Sequence, residues 1–555
     1  MVKQLLSAYL VVVCTITAIA QPEPTPVIAT MATNQVKVKF QSNGYLFHDY
    51  EAGKFIAPYA PGAPEKSLIQ GSGLWMAGLD PGGNLHGAIQ LYNEDGRADF
   101  YPPIEVDSLG NISASPENQI WSVTEADILA HQEDWADNQQ IDNPNPAIFG
   151  WPGRGNPFFS DYHDFSSNWT EQSAGFWDQN GDILYNPDQG DYPILELQGC
   201  QDVGIPSEMH WSYFGDEGVH TQSGLEPMSV QIRQTVFSFA CSDHDLLNRT
   251  VFVLYRIEYQ GVESLDSVHL GVFTDFSIGC PDDDYLGFIP STRTAYAYNA
   301  ENTDEDCGEI LGYGGMPPAV ATTIIRAPLE YSDPGGPQPI FPSSMVSLSY
   351  DPDHPSYPMD GADYYALLSG SYRDGTPIEN GGYTLNGNPN NPNEWSELQT
   401  GATPGNRRSL MAIGPMQLNP GEINQLLVAY TFFQGGNHLE NVQSIYDEVG
   451  ELLVLTENCF NPACTMTVGV ENRPAEKEAV HLYPNPTDAN LIIEFGSSGE
   501  RALRLYNTLG QGVWEGVSQN DQYTLRTQDL PSGAYYLQIQ NELQESQVQR
   551  ILISH

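Results

Sequence analysis

The sequence predicts a mainly β protein: β-sandwich regions with long ordered loops and a few short helices, followed by a smaller C-terminal β-sandwich. Three observations carry this. Short runs of alternating apolar and polar residues recur between turn residues, as half-buried strands require. Glycine (52), proline (41) and tyrosine (30) are plentiful, which suits sheets joined by structured loops. Segments with helical spacing are rare.

Residues 1–20 read as a signal peptide. Lys3 supplies a positive start, Leu5 to Ala20 is apolar, and Ala18-Ile19-Ala20 is the small-x-small pattern of a cleavage site. The apolar run falls short of the roughly 20 residues a membrane-spanning helix needs, and polar, proline-rich sequence follows. We therefore expect cleavage near Ala20 and a mature chain that is not an integral membrane protein. Residues 21–34 ("QPEPTPVIAT") read as a disordered lead.

Residues 35–225 form a β-rich, loop-rich region opened by "QVKVKFQS", "GSGLWMAGLD" and "GAIQLYNEDG". One short helix is expected at "TEADILAHQEDW", with Thr124 as cap and Asp127 at the third helical position. Residues 226–465 read as a second sandwich region. "SVQIRQTVFSFA", "RTVFVLYRIEYQG" and "SVHLGVFTDFSIG" suggest a meander, and "RRSLMAIGPMQLNPGEINQLLVAYTFFQG" gives two more strands around a turn. A helix follows from Asn437, because Leu439, Val442, Ile445, Tyr446, Val449, Leu452 and Leu453 recur at helical spacing behind an Asn437–Glu440 capping pair. Residues 466–480 are polar and read as a linker. Residues 481–555 then restart the β pattern as an Ig-like sandwich: "NLIIEF", "ALRLYN", "GVWEGV", "YTLRT", "GAYYLQIQ" and "VQRILIS".

The formal charge is −50, from 71 acidic and 21 basic residues, and no lysine lies between Lys66 and Lys477. Nucleic acid is excluded as a partner, because phosphate binding needs a basic face. The excess acid serves solubility or calcium binding. Without Cys14 of the signal segment, six cysteines remain: Cys200, Cys241, Cys280, Cys307, Cys459 and Cys464. An even number in an exported chain permits three disulfides. Nearness in sequence suggests Cys280–Cys307 and Cys459–Cys464, which leaves Cys200–Cys241.

The tail carries four motifs in order: Tyr483-Pro484-Asn485-Pro486-Thr487, "LRLYNTLGQGV" with Gly510, "LPSGAYYLQI" with Gly533 and Tyr535, and the closing "QRILI" with Arg550. It resembles the type A C-terminal sorting domain of the Bacteroidetes type IX secretion system, although that family usually carries lysine where Arg550 stands. The resemblance implies delivery to the outer cell surface or the extracellular space, with residues 481–555 engaging the secretion machinery. The cargo is then released or fixed to surface lipopolysaccharide. Blocks of residues 35–455, among them "IFGWPGRGNP", "FTDFSIGCPDDDYLGF" and "GYGGMPPAV", resemble large surface proteins that carry the same tail and have no activity assigned.

Candidate chemistry is sparse. In "WDQNGDILYNPDQGDYP", Asp178, Asn180 and Asp182 are spaced two apart, as calcium loops require. The Leu184 carbonyl, Asp188 and Asp191 would complete an oxygen shell. Ile183 and Gln189 depart from the EF-hand pattern, and a hydrogen-bonded Asp/Asn turn is the alternative. A second acidic set, Asp275, Asp282, Asp283 and Asp284, reads as a solvated loop pinned by Cys280 or, second to that, as a metal site, and Asp304 and Asp306 would join it if Cys280 pairs with Cys307. His210 and His220, near Asp216 and Glu217, read as structural. Trp75, Tyr92, Trp151, Trp211 and Tyr213 suit either sugar stacking or an aromatic core. We expect a secreted or cell-surface non-catalytic protein with an adhesion, binding or structural role and with glycans among its partners. The alternative is a secreted hydrolase acting on polysaccharide or peptide.

Overall fold

The structure is a computed structural model. It describes residues 24–553 apart from 51, 93–95, 107–111, 168, 171–172, 201–202, 333–335, 341, 462–463, 465–479, 485–486, 496–498, 500, 508–511, 529, 532 and 542–545. The signal segment, nearly all of the linker and sorting-motif residues Asn485, Pro486 and Gly510 lie outside the described residues.

The chain is mainly β. An eight-stranded antiparallel sheet has the order Asp284–Ile289, Thr294–Asn299, Ala319–Arg326, Ile423–Phe433, Thr250–Tyr259, Val230–Ser238, Glu208–Gly215, Trp121–Thr124. A five-stranded sheet has the order Pro342–Leu348, Arg407–Leu418, Leu265–Phe276, Ile69–Leu79, Leu85–Ile89. The two share one core, in which Val253, Tyr255, Val428 and Tyr430 of the larger sheet meet Leu74, Met76, Val272 and Met411 of the smaller. Each fully buried aliphatic side chain there contributes about 1.5–3 kcal/mol.

The outer face of the larger sheet is also covered, and that of the smaller sheet is covered in part. In Thr250–Tyr259, Val251, Val253, Tyr255 and Ile257 join the shared core, while Phe252 and Leu254 join a second core behind the sheet. That second core takes in the helix His438–Glu457 through Val442, Ile445, Val449, Leu452 and Leu453. The helix begins at the expected capping box of Asn437 and Glu440. The helix Glu125–Asn138 likewise begins at the box of Thr124 and Asp127. Behind the smaller sheet, Trp75, Phe273 and Leu410 pack under the helix Gly361–Leu368.

Four expectations change. The lead is partly ordered: Ile28–Met31 pairs with Lys37–Gln41, Met31 is buried, and the Asn34 amide donates to the carbonyls of Phe239, Leu247 and Thr250. The position 225/226 marks no boundary in space, because strands from both sides of it build both sheets. The expected meander breaks after two strands: Leu265–Phe276 crosses into the five-stranded sheet instead of pairing with Thr250–Tyr259. Strands buried on both faces lack the alternation that would have distinguished one sheet from the other. The disulfides are Cys200–Cys459, Cys241–Cys464 and Cys280–Cys307, so nearness predicted one of three. Phe460 explains the other two. It is buried among Phe237, Phe239 and Phe252, and this carries the chain after the long helix toward the segments that bear Cys200 and Cys241.

The tail is a separate seven-stranded sandwich. Val480–Tyr483, Asn490–Phe495 and Gln522–Arg526 face Gly512–Ser518, Arg501–Asn507, Gly533–Asn541 and Ser546–Ile553. Leu491, Ile493 and Leu525 of one sheet meet Leu503, Leu505, Leu537 and Ile551 of the other.

Candidate ligand-binding groove

The outer face of the five-stranded sheet is only partly roofed. Along Leu265–Phe276 the outward residues Phe273 and Asp275 alternate with inward ones, and Leu410 and Arg408 stand opposite them on the neighbouring strand. The helix Gly361–Leu368 covers the apolar end, where the Trp75 and Phe273 rings stack at 5.6 Å and Tyr364 meets Trp75 edge-on at 5.0 Å. Beyond it lies a groove of about 980 Å³ whose lining includes Tyr50, Tyr92, Asp275, Tyr350, Asn406 and Arg408. Tyr50 and Tyr350 are 49% and 42% exposed, so each presents ring surface to solvent.

Asp275 is the buried polar centre of the groove. Tyr92 Oη donates to its Oδ2 at 2.7 Å and Tyr350 Oη to its Oδ1 at 2.6 Å. Burial pushes the Asp275 carboxyl up to about 6, against the lowering effect of both hydroxyls and of the Arg408 charge. Burial, followed by the Asp275 charge, raises both tyrosines. At neutral pH the carboxylate is therefore mostly ionised and both phenols keep their protons.

The Arg408 guanidinium lies 3.8 Å from the centre of the Tyr350 ring and donates to the Ser349 carbonyl. Its Nε is buried and makes no hydrogen bond, and the same holds for Asn406 Oδ1. Neither Arg408 nor the exposed Arg97, which also lines the groove, forms an ion pair with a carboxylate among the described residues. The groove thus presents flat apolar rings and the exposed Arg97, with Tyr92, Asn406 and Arg408 among its polar lining residues. Asp275 is the one carboxylate among its described lining residues.

The residues singled out from sequence are distributed differently. In the loop Asp178–Asp191, Asp178 accepts from the backbone N–H groups of Gly181, Asp182 and Ile183, and Asp182 accepts from Leu184. Asn180 Nδ2 donates to Asp182 and Gln189, and the amide of Asp188 donates to Asn186. Asp191 is fully buried and accepts from Gln179 and Asn186. Burial raises its carboxyl, and the charges of Asp178 and Asp182 add to that, while the two backbone hydrogen bonds oppose it. The Leu184 side chain is exposed.

The second acidic set does not stay together. Asp275 belongs to the groove, and Asp282 is exposed beside the Cys280–Cys307 disulfide. Asp283 and Asp284 lie at the start of the strand Asp284–Ile289, where Asp304 joins them through a hydrogen bond from the Cys280 amide. His210 meets Ser122 and Glu208, and His220 meets the carbonyls of Gly87 and Asp216, so both serve packing and hydrogen bonding. Of the five aromatics, Trp75 and Tyr92 reach the groove, while Trp151, Trp211 and Tyr213 sit in the core behind the larger sheet. Sequence reading missed Tyr50, Tyr350, Asn406 and Arg408. In sequence "RRSL" reads as the start of a strand, and its two adjacent arginines are the available signal.

Residues 481–554 match a family model described as a secretion system C-terminal sorting domain. This tail is a type IX secretion sorting signal, and the chain is exported by that system. Tyr483 and Pro484 open the sandwich, Gly533 and Tyr535 lie on one of its strands, and Arg550 lies on its last. Among solved structures, a polysaccharide lyase aligns at 9% identity and a TM-score of 0.22, over 60% of this chain and 35% of its own. PorZ, a surface component of the type IX secretion system of Porphyromonas gingivalis, aligns at 9% identity and a TM-score of 0.13, over 95% of this chain and 75% of its own. This chain therefore spans about a third of the lyase, and neither likeness is close enough to carry a fold or a function. No curated protein matches. No helix among the described residues is long and apolar enough to cross a membrane.

Proposed function

We propose that this type IX cargo acts at the cell surface or beyond it as a glycan-binding protein, and that the groove over the five-stranded sheet takes an acidic saccharide. The observation that carries the reading is the lining of the groove. Sugars are bound by flat aromatic faces beneath their C–H groups and by fixed donors and acceptors at their hydroxyls. Tyr50 and Tyr350 supply exposed rings, and Tyr92, Arg97, Asn406 and Arg408 are polar residues of the lining. Arg97 and Arg408 favour a carboxylate-bearing sugar, since a guanidinium matches a carboxylate in shape and charge.

Binding is preferred to hydrolysis on the disposition of Asp275. Both of its oxygens are engaged by tyrosines, whereas hydrolysis of a glycosidic bond ordinarily uses two carboxyl groups. Calcium bracing at Asp178, Asn180, Asp182, Asp188, Asp191 and the Leu184 carbonyl belongs to the same reading. What supports it is the crowding of Asp178, Asp182 and Asp191.

The test is titration of the chain from residue 21 with neutral and uronate-containing oligosaccharides. Uronate binding that weakens at least tenfold in Tyr350→Ala and in Arg408→Gln supports the reading. Turnover of any saccharide would favour the hydrolase, and binding unaffected by both variants would move the site elsewhere.

A further inference from the structure

Three buried oxygens on residues near the Cys280–Cys307 disulfide, Asp283 Oδ1, Asp284 Oδ1 and Asn299 Oδ1, have no hydrogen-bond donor. Asp284 is the first residue of its strand and stands directly opposite Asn299, the last residue of Thr294–Asn299. Directly opposed residues in a sheet project their side chains from the same face, roughly 5 Å apart. Both are fully buried. Asp284 Oδ2 accepts from the Ile278 amide at 3.0 Å, but its Oδ1 has no partner.

The orientation of the Asn299 amide is fixed. Its Nδ2 donates to the carbonyls of Glu301 and Thr303 at 3.0 and 2.9 Å, so the nitrogen cannot be exchanged for the oxygen. The oxygen on the other side is buried and unpartnered. Asp283 adjoins Asp284, and the Asn299 side chain reaches its carboxyl as a hydrogen-bond donor, while Asp283 Oδ1 is buried and without a partner. The Asp304 charge is felt by both aspartates, while its own oxygens accept from the amides of Cys280 and Tyr313.

Neither neighbouring cation answers these acceptors. Lys66 Nζ donates to the Gly312 carbonyl and lies over the Tyr313 ring, and Arg407 pairs with Glu397. Leaving buried carboxylate and amide oxygens without donors is costly, more so where the group is charged. A single cation would satisfy all three.

We propose that Asp283 Oδ1, Asp284 Oδ1 and Asn299 Oδ1 hold one calcium ion beside Asp304. The donors are oxygens alone, two from carboxylates and one from an amide, which is the set that calcium takes and that soft metals do not. The ion would join the ends of two strands to the loop that the disulfide closes, so one corner of the eight-stranded sheet would be held by both a covalent and an ionic link. This inference is independent of the groove and of the Asp178–Asp191 loop.

The test uses the chain from residue 21, freed of metal. Calcium binding is followed by calorimetric titration up to ~10 mM, above the weak end of extracellular sites. Thermal unfolding is measured in calcium and in chelator. Asp284→Asn keeps the shape and the hydrogen bond to Ile278, and Asp283→Asn changes a partly exposed residue, so at least one variant should fold. Asp178→Ala serves as the control for the other loop.

The expected result is calcium binding in the parent, weakened at least tenfold in Asp283→Asn and in Asp284→Asn. A calcium-binding event should persist in Asp178→Ala. In chelator, Asp284→Asn should melt no lower than the parent, because it removes a buried charge that nothing then balances. Unchanged affinity in both asparagine variants would overturn the proposal. So would loss of all calcium binding in Asp178→Ala, or absence of binding in the parent, which would assign the three oxygens to water or to a proton.

Discussion

Removing the Cys200–Cys459 disulfide by changing both cysteines to serine tests how the long helix is anchored. Its cysteines are 259 residues apart in sequence, and closing so long a loop would be worth about 5–6 kcal/mol in chain entropy taken alone. Cys241–Cys464 is nested against it, however. With that bridge intact, the ring left to open runs from Cys200 to Cys241 and from Cys459 to Cys464, about 46 residues, which lowers the expected loss to about 4 kcal/mol. The reverse double variant, at Cys241 and Cys464, opens the same ring and should cost a similar amount. Removing all four cysteines should cost about 9–10 kcal/mol, more than the two losses added, because the last bridge to go closes the long loop. Guanidinium unfolding of the oxidised chain from residue 21, read by tryptophan fluorescence, gives the three values. Strict additivity, or a loss below about 1 kcal/mol in either double variant, would refute the nested clamp. Peptide mapping that found Cys459 joined to Cys464 would do so as well.

Deleting residues 478–555 should leave the protein in the periplasm of its native host, since the sorting domain occupies 481–554; surface delivery of the truncated chain by fractionation would count against the assigned route. Asp275 should make stability fall as pH rises. Its folded carboxyl titrates near 6 against an ordinary 3.8, so between about pH 4 and pH 6 the folded state holds a proton that the unfolded state has lost, and above pH 6 the cost levels off near 3 kcal/mol. Asp275→Asn should accordingly gain on the parent from pH 4 to pH 7 in denaturant titrations, and a difference that does not vary with pH would reject this. Millimolar calcium should raise the melting temperature, with part of the rise lost in Asp178→Ala and Asp182→Ala. The gain should stay below the roughly 2.7 kcal/mol of a site at a hundredfold excess of ligand. Equal calcium responses in parent and variants would leave that loop a hydrogen-bonded turn.

Local features of the fold were legible in the sequence and long-range ones were not. Both capping boxes could be read because a cap and its partner lie three residues apart. The tail strands could be read because each carries its own alternation and turn. By contrast, Leu265–Phe276 was assigned to the wrong neighbours, since strands apolar on both faces look alike whichever sheet receives them. Cys200 and Cys459 were missed as a pair because Phe460, not sequence distance, decides where the end of the helix goes. The groove was hidden for the same reason. Tyr50, Tyr92, Asp275, Tyr350 and Arg408 come from five separate segments, and only the pairing of Leu265–Phe276 with Arg407–Leu418 sets Asp275 opposite Arg408. The orphaned oxygens near Cys280 became visible only once hydrogen-bond partners could be assigned atom by atom.

A crystal structure of the chain soaked with a uronate-containing oligosaccharide tests the central claim most directly. The account predicts a sugar ring lying against Tyr50 or Tyr350, with its carboxylate within hydrogen-bond distance of the Arg408 or the Arg97 guanidinium. An empty groove with the oligosaccharide bound elsewhere, or a cleaved product held against Asp275, would contradict it.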